Sequence, residues 1–235
     1  SWHTGAAPLG YGYAGALGTT LDMRGNYGSA YVTFRFDLTQ AQIDLMMSMM
    51  QPPAGRSLLD VGCGTGHFTR RFAQSGLQVT GVDPDKNALA FAKHQSNDID
   101  YCEGDAQHLP FKDASFDYCS AVTSLCFIDD VNTALREMWR VSRTGVVLGL
   151  LNRHSLLYYE RQQHPGYAGA RWDSVGDVRR WAGQLLIPAT DRQIKTAITF
   201  PGGNHLARTV EKLIPASLPF GAFLAVYYSR KHLRK

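Results

Sequence analysis

Apolar and polar positions alternate in regular blocks through the middle of the chain. Five short apolar runs predict β-strands, at residues 57–61, 78–82, 100–103, 116–122 and 146–151. Helices are predicted between them, at residues 67–74, 86–94 and 131–141. Such alternation is typical of a parallel sheet with crossover helices. The last run is apolar throughout, as expected of a central strand that is covered on both faces.

The N-terminal part of the chain is less regular. Residues 1–25 are rich in glycine and small side chains and predict a flexible lead-in. Residues 27–50 predict an aromatic stretch and then a helix, which Pro52 and Pro53 end. The methionines of that helix either fill a core or form an adaptable lid surface. We expect residues 1–50 to be a lead-in and lid segment, and residues 51–235 to form one domain.

The C-terminal third predicts a partly helical insertion and a closing pair of strands. The insertion spans about residues 152–190 and includes a helix at residues 175–185. Strands are predicted at residues 193–200 and 222–229, separated by a helix at 206–213. The predicted fold class is therefore α/β, with a Rossmann-like, seven-stranded, mostly parallel sheet and helices on both faces.

A glycine-rich turn follows the first strand. Glycines at alternate positions 62, 64 and 66 let the backbone turn sharply and allow a ligand to approach it closely. The next helix directs free N–H groups at that ligand. A dinucleotide fingerprint, G-x-G-x-x-G, would place its third glycine at His67, whereas here it is Gly66. The spacing therefore argues against an NAD(P) site.

With Asp60 ahead of it, this turn resembles motif I of the class I S-adenosylmethionine (SAM) dependent methyltransferases. Asp83 ends the second strand, where a carboxylate can accept both hydroxyls of a ribose. The segment around Asp105 resembles the one that meets adenine in small-molecule methyltransferases. The resemblance covers roughly residues 57–151 and implies SAM as cofactor and S-adenosylhomocysteine as product. The implied cofactor-binding residues are Asp60, Gly62, Cys63, Gly64, Gly66, Asp83, Pro84, Asp105, Ala106 and Thr123.

Residues 149–156 and 219–226 are also similar to a less-characterised subgroup of these enzymes, which supports the fold of the tail without identifying a substrate. The acceptor side lacks an Asn-Pro-Pro-Tyr type motif, which argues against methylation of a nucleic-acid base or amide nitrogen by that route. If the acceptor is a hydroxyl or thiol, His154 is the candidate catalytic base; the alternative is a hydrogen-bonded structural histidine. The predicted substrate and lid residues are Tyr27, Tyr31, Arg35, Tyr158 and Tyr159.

Composition narrows the class of protein. The 235 residues, 44% hydrophobic and 19% charged, are typical of one globular domain. The net charge of +4 does not indicate nucleic-acid binding, and no apolar run reaches the length of a membrane span. The first twenty residues lack a signal-peptide pattern, so a cytoplasmic protein is expected. The four cysteines show no metal spacing, and no metal site is predicted.

The sequence thus predicts an enzyme, a methyltransferase that acts on a small-molecule acceptor with SAM as cofactor. A non-catalytic SAM-binding module that senses the cofactor is an alternative from another class. An NAD(P)-dependent oxidoreductase is disfavoured by the glycine spacing. Methylation of protein or RNA ranks lower, because the only basic cluster is the short tail at residues 230–235.

Overall fold

The computed structural model describes residues 36–163, 167, 169–184, 191–198, 215 and 218–230. Seven strands are found in this part of the chain: β1 (Ser57–Val61), β2 (Gln78–Asp83), β3 (Asp100–Glu103), β4 (Phe116–Val122), β5 (Ser142–Leu151), β6 (Asp191–Ala197) and β7 (Phe223–Ser229). The helices described are α1 (Phe36–Met50), α2 (His67–Gln74), α3 (Lys86–Gln95), α4 (Val131–Val141), α5 (Leu156–Arg161), α6 (Val175–Gln184) and a short 3₁₀ helix at Leu125–Phe127.

The strands form one sheet in the order β3-β2-β1-β4-β5-β7-β6. Strands β1 to β5 pair in parallel, whereas β7 is antiparallel to both β5 and β6. The predicted fold class is confirmed, including the closing pair of strands. Parallel pairing brings the carboxyl ends of β1 to β5 to one edge, where ligands bind in open α/β sheets.

Apolar side chains of β5 alternate between the two faces of the sheet. Val146 and Leu148 belong to a core cluster that includes residues of α4 and α6, and Val147 belongs to a second cluster with residues of α1 and α2. Helices therefore cover both faces, as predicted. Met46 on α1 is fully buried in the second cluster, which makes it core filler.

The structure differs from the prediction at the later elements. Strand β5 begins at Ser142, four residues before the predicted start, because Ser142, Arg143 and Thr144 extend the ladder without adding to the apolar run. Strand β6 ends at Ala197 rather than at residue 200. The helix predicted at 206–213 lies outside the described residues. In the described part of the insertion, α5, of six residues, and α6 are α-helices.

Candidate cofactor and acceptor site

Three glycines shape the turn after β1. Gly62, Gly64 and Gly66 have φ angles of 71°, 52° and 74°, a left-handed backbone that a Cβ disfavours. A Cβ at residue 66 would also overlap the hydroxyl of Tyr101 and lie 2.9 Å from its ring carbon Cζ. The sequence pattern predicted the turn, whereas the packing of Tyr101 beneath it had no sequence signal.

The turn is fastened to β2 through its backbone. The N–H groups of Gly62 and Cys63 donate to the carbonyl oxygen of Val82 at 2.8 and 3.1 Å. The Cys63 side chain is buried in a small cluster with Leu89 and Tyr101, and burial raises the pKa of its thiol well above the usual value. Any contact of Cys63 with a cofactor would therefore come from its backbone, and its binding role stays a prediction.

Asp83 lies beside this turn at the end of β2. Its Oδ2 accepts a hydrogen bond from the Gly64 N–H at 2.7 Å, and its Oδ1 accepts one from the Asp85 N–H at 2.9 Å. Burial raises the pKa of Asp83, although these two hydrogen bonds oppose the shift. Each carboxylate oxygen retains a lone pair for a further donor, such as a ribose hydroxyl. Pro84 follows, half-buried.

Asp60 has a different environment. Its carboxylate is 2% exposed and accepts hydrogen bonds from Thr69 Oγ1 at 2.7 Å and Ser120 Oγ at 2.8 Å. Burial raises its pKa to about 6 against these hydrogen bonds. The carboxylate thus joins β1 to α2 and β4 beneath the glycine turn. These contacts are those of a positioning residue, and direct cofactor binding by Asp60 stays a prediction.

The turn also holds an unpartnered hydroxyl. Thr65 is fully buried, and its Oγ1 has no hydrogen-bond partner in the part of the chain that the structure describes. Arg70 Nη1 donates to the Thr65 carbonyl oxygen at 2.8 Å and so fixes the backbone of this residue. A buried hydroxyl without a partner is costly, so a ligand group there would be stabilising. Thr65 was not among the predicted site residues.

Asp105 and Ala106 follow β3 at the same edge. The Gln107 N–H donates to Asp105 Oδ1 at 2.9 Å, and Ala106 is 1% exposed. The Gly104 N–H donates to the Asp83 carbonyl oxygen at 3.2 Å, which brings this segment next to the end of β2. The structure therefore assembles Asp83, Asp105 and the glycine turn along one edge, as the sequence predicts.

Side chains of helix α4 hold the segment after Asp105 in place through hydrogen bonds. Glu137 Oε2 accepts from the Leu109 N–H at 2.9 Å, and Arg140 Nη2 donates to the Leu109 carbonyl oxygen at 3.1 Å. Arg140 also contacts Asp113 and the carbonyl oxygen of Phe111, each at 2.8 Å. The Arg140 guanidinium lowers the pKa of Glu137, so the pair is held as ions. This brace was not predicted.

The end of β4 carries a strained residue. Thr123 has a φ of 51°, which is unusual for a β-branched side chain and is a pattern found at functional sites. Its N–H donates to the Gly149 carbonyl oxygen at 2.7 Å, while the neighbouring Ser124 Oγ donates to the Val61 carbonyl oxygen at 2.8 Å. Thr123 thus lies beside the glycine turn, in the position predicted for it.

A buried polar network joins the end of β5 to the insertion that follows it and to the turn before β7. We call these segments the acceptor side. Asn152 is fully buried, and its Nδ2 donates to the carbonyl oxygens of Pro219 and Gly221, both at 2.7 Å. The two segments of the second sequence resemblance therefore meet at this side chain. A hydrogen bond from the Asp173 N–H to the Leu151 carbonyl oxygen, at 2.8 Å, ties the insertion to the same edge.

Arg171 extends this network to the end of β4. Its Nη1 and Nη2 donate to the carbonyl oxygens of Ile128 at 3.2 Å and Leu125 at 3.0 Å, and its Nε donates to Asp173 Oδ1 at 2.7 Å. Burial raises the pKa of Asp173, and the contact with Arg171 opposes that shift. Cys126 lies in the same turn, and burial raises its pKa to about 12, so it is not a poised nucleophile.

The remaining predicted residues lie just after β5 or outside the described part of the chain. The backbone N–H of His154 donates to Asn152 Oδ1 at 3.1 Å, and the residue is exposed just past β5. The ring of Tyr158 packs edge-on against Trp172 at 5.3 Å, whereas Tyr159 is 70% exposed. The predicted lid residues lie outside the described part of the chain: Tyr27, Tyr31 and Arg35. Within the described part, no cluster of metal-ligating side chains is found.

Comparison with known proteins identifies relatives of this chain. Residues 59–150 match the family described as Methyltransferase domain. The chain is 36% identical over 191 residues to the malonyl-acyl-carrier protein O-methyltransferase of Erwinia billingiae, across 77% of this chain and 73% of that protein. An enzyme of the same name from Pectobacterium atrosepticum is 35% identical over 112 residues, and the match spans only 44% of that enzyme and 48% of this chain.

Comparison with solved structures also indicates a methyltransferase. The SAM-dependent methyltransferase of Thermotoga maritima, described as a possible histamine N-methyltransferase, has a TM-score of 0.63 and 25% identity, over 83% of this chain and 92% of that one. The fold is that of the class I methyltransferases. The chain belongs to the family of SAM-dependent methyltransferases, and the resemblance seen in the sequence is confirmed.

Proposed function

We propose that this chain transfers the methyl group of SAM to an oxygen atom of a small, partly apolar acceptor. The observation that carries the proposal is that the glycine turn, Asp83, Asp105 and the unpartnered hydroxyl of Thr65 lie along one sheet edge. These groups fit the cofactor, since the turn leaves room for a close approach and the carboxylates can accept from hydroxyl and amino groups.

The glycine spacing favours SAM over a dinucleotide, because the third glycine of the turn is Gly66 rather than residue 67. Asp83 would accept the ribose hydroxyls, Asp105 would accept from the adenine amino group, and the Thr65 hydroxyl would hold the amino-acid end. SAM supplies an activated methyl group when bound, so the protein has mainly to align the acceptor atom and exclude water.

Oxygen is proposed as the acceptor atom because the relatives from Erwinia billingiae and Pectobacterium atrosepticum are both O-methyltransferases. His154, exposed at the end of β5, would remove the proton from a hydroxyl acceptor, whereas a carboxylate acceptor would need no base. Tyr158, packed on Trp172, would form an apolar wall of the acceptor pocket. Helix α1 packs in the core, and the lid expected ahead of it stays a prediction because residues 1–35 lie outside the described part of the chain.

The decisive experiment measures S-adenosylhomocysteine release from SAM with a panel of carboxyl- and hydroxyl-bearing acceptors, including a malonyl thioester. Asp83→Ala is the control without a working cofactor site. His154→Gln should lower turnover at least tenfold with a hydroxyl acceptor and leave a carboxylate acceptor unaffected. Tight SAM binding without turnover on any acceptor would instead favour the SAM-sensing module.

The cellular setting is part of the proposal. All four cysteines are free thiols, which supports a reducing compartment such as the cytoplasm. Within the described residues, no helix combines the length and the apolar character needed to cross a membrane. The partner proposed for the site is a small molecule rather than a nucleic acid.

A further inference from the structure

Exposed large apolar side chains are concentrated at the acceptor side. Among the described residues, four are more than 40% exposed: Leu156 (51%), Tyr159 (70%), Leu218 (43%) and Phe220 (55%). The first two lie on α5, three residues apart and therefore on one face, and the other two lie in the turn before β7. Single exposed apolar residues are ordinary, whereas a cluster of them marks an interaction surface.

Buried hydrogen bonds hold these two segments next to each other. Asn152, four residues before Leu156, donates to the carbonyl oxygens of Pro219 and Gly221 on either side of Phe220. The Asn152 carbonyl oxygen accepts from Ser155 Oγ at 2.7 Å at the start of α5. The four apolar side chains are thus presented by a fixed backbone. We name them the apolar edge.

Cationic side chains flank the apolar edge. Arg153 and Arg180, whose side chains are 49% and 69% exposed, share one carboxylate, Asp177, at 3.8 and 3.4 Å. Glu160 is an exposed carboxylate on α5. The sequence from residue 152 onward is basic, with 13 Lys and Arg against 5 Asp and Glu, although Arg230 lies at the opposite edge of the sheet, where its N–H donates to the Thr144 carbonyl oxygen. Residues 1–151 have the opposite balance, with 11 against 15.

We infer that the apolar edge docks this protein on an anionic lipid surface. Leucine and aromatic side chains enter the boundary between headgroups and acyl chains, and arginines around them attract anionic headgroups. The exposed guanidinium groups of Arg153 and Arg180 would orient this edge toward the membrane. An apolar acceptor could then pass from the lipid to the pocket without crossing water.

The test is co-sedimentation with vesicles of phosphatidylcholine alone and of phosphatidylcholine with one third phosphatidylglycerol. The wild-type chain should bind the second kind and not the first, and salt should weaken the binding. Leu156→Ser combined with Phe220→Ser should lower binding at least about tenfold, because it removes two inserted apolar side chains. Both residues are exposed, so the variant should keep its fold and its affinity for SAM.

A charge-matched pair of variants tests the location of the surface. Arg180 and Lys86 are both exposed and each faces one carboxylate, at 3.4 and 3.3 Å. Arg180→Gln should lower vesicle binding severalfold, whereas Lys86→Gln on α3 should not change it.

Three outcomes would overturn the inference: equal losses of vesicle binding in both charge variants, undiminished binding by the double variant, or no binding by the wild-type chain. The last outcome would assign the apolar edge to a protein partner. SAM titration of the same samples reports separately on the proposed function.

Discussion

The carboxylate of Asp83 accepts a hydrogen bond from the backbone N–H of Gly64 at 2.7 Å. The end of β2 therefore holds the middle of the glycine turn while it keeps lone pairs for a ligand. In the proposed function, one side chain serves both the shape of the turn and the binding of the cofactor. This double role explains why a carboxylate at this strand end gives a strong sequence signal when it follows the glycine turn.

Replacement of Asp83 should disable cofactor binding. Asp83→Ala removes a charged acceptor from the turn and from the proposed ribose contact, so the Kd for SAM should rise by roughly 10- to 100-fold, as expected for about 1.5–3 kcal/mol. Isothermal calorimetry measures this change.

Asp85→Ala is the matched control, since Asp85 caps α3 through Asn87 and Ala88. It should lower the free energy of unfolding by about 1 kcal/mol and leave the Kd unchanged. Similar Kd values for the two variants would contradict the assignment.

Alanine variants of two glycines with similar backbones distinguish the cost of backbone strain from the cost of a steric clash. Gly55 and Gly66 have φ angles of 76° and 74°, but a Cβ would meet no atom within 4 Å at residue 55 and would overlap Tyr101 at residue 66. Gly55→Ala should therefore cost only the backbone strain, about 1–2 kcal/mol. Gly66→Ala should cost more and also weaken SAM binding. Thermal melts without and with SAM measure the loss of stability and the loss of SAM binding. Equal losses of stability in the two variants would contradict the predicted clash with Tyr101.

The buried carboxyl group of Asp60 should make stability depend on pH. Its pKa is raised from 3.8 to about 6, so between these values the folded protein holds a proton that the unfolded chain has lost. The free energy of unfolding should therefore fall as the pH rises through this window, by about 3 kcal/mol for this group. Asp60→Asn removes the titration, and hydroxyls of Thr69 and Ser120 can pair with an amide.

The measurement compares urea denaturation of wild type and Asp60→Asn at pH 4 and pH 7. The variant should gain stability relative to wild type as the pH rises, and the difference cancels the titration of all other groups. A constant difference would show that Asp60 does not titrate in this window. Retained SAM affinity in Asp60→Asn would confirm that the carboxylate positions the turn and does not contact the cofactor.

Thr123 and Ala114 test whether backbone strain at the end of β4 serves function. Both have a positive φ, 51° and 52°, but Ala114 lies in the turn before β4, at the opposite edge of the sheet. Glycine relieves such strain, so Ala114→Gly should raise the free energy of unfolding by about 1 kcal/mol. Thr123→Gly should loosen the turn beside the cofactor and weaken SAM binding severalfold. If calorimetry finds the same Kd for both variants, the strain at Thr123 has no role in binding.

The elements nearest the cofactor were predictable because local chemistry marks their ends. Strands β1, β3 and β4 and helices α2 and α4 have the predicted bounds, since glycine, Asp130 or a turn residue lies at each boundary. Asp83 and the glycine turn were predictable for the same reason, because both the residue types and their spacing lie within a short stretch of sequence.

Features that depend on contacts between distant residues were not predictable. Tyr101 under Gly66, Glu137 beside Leu109, and Asn152 beside Pro219 join segments that are far apart in sequence. No periodicity reports such pairs. The unpartnered state of Thr65 is likewise a property of packing. The acceptor side therefore had fewer sequence signals than the cofactor side, although its polar network is as extensive.

The most direct test of the proposed cofactor is calorimetric titration of the wild-type chain with SAM, S-adenosylhomocysteine and NADH. We expect micromolar binding of SAM and S-adenosylhomocysteine at a single site and no binding of NADH. Binding of NADH alone, or of none of the three, would contradict it.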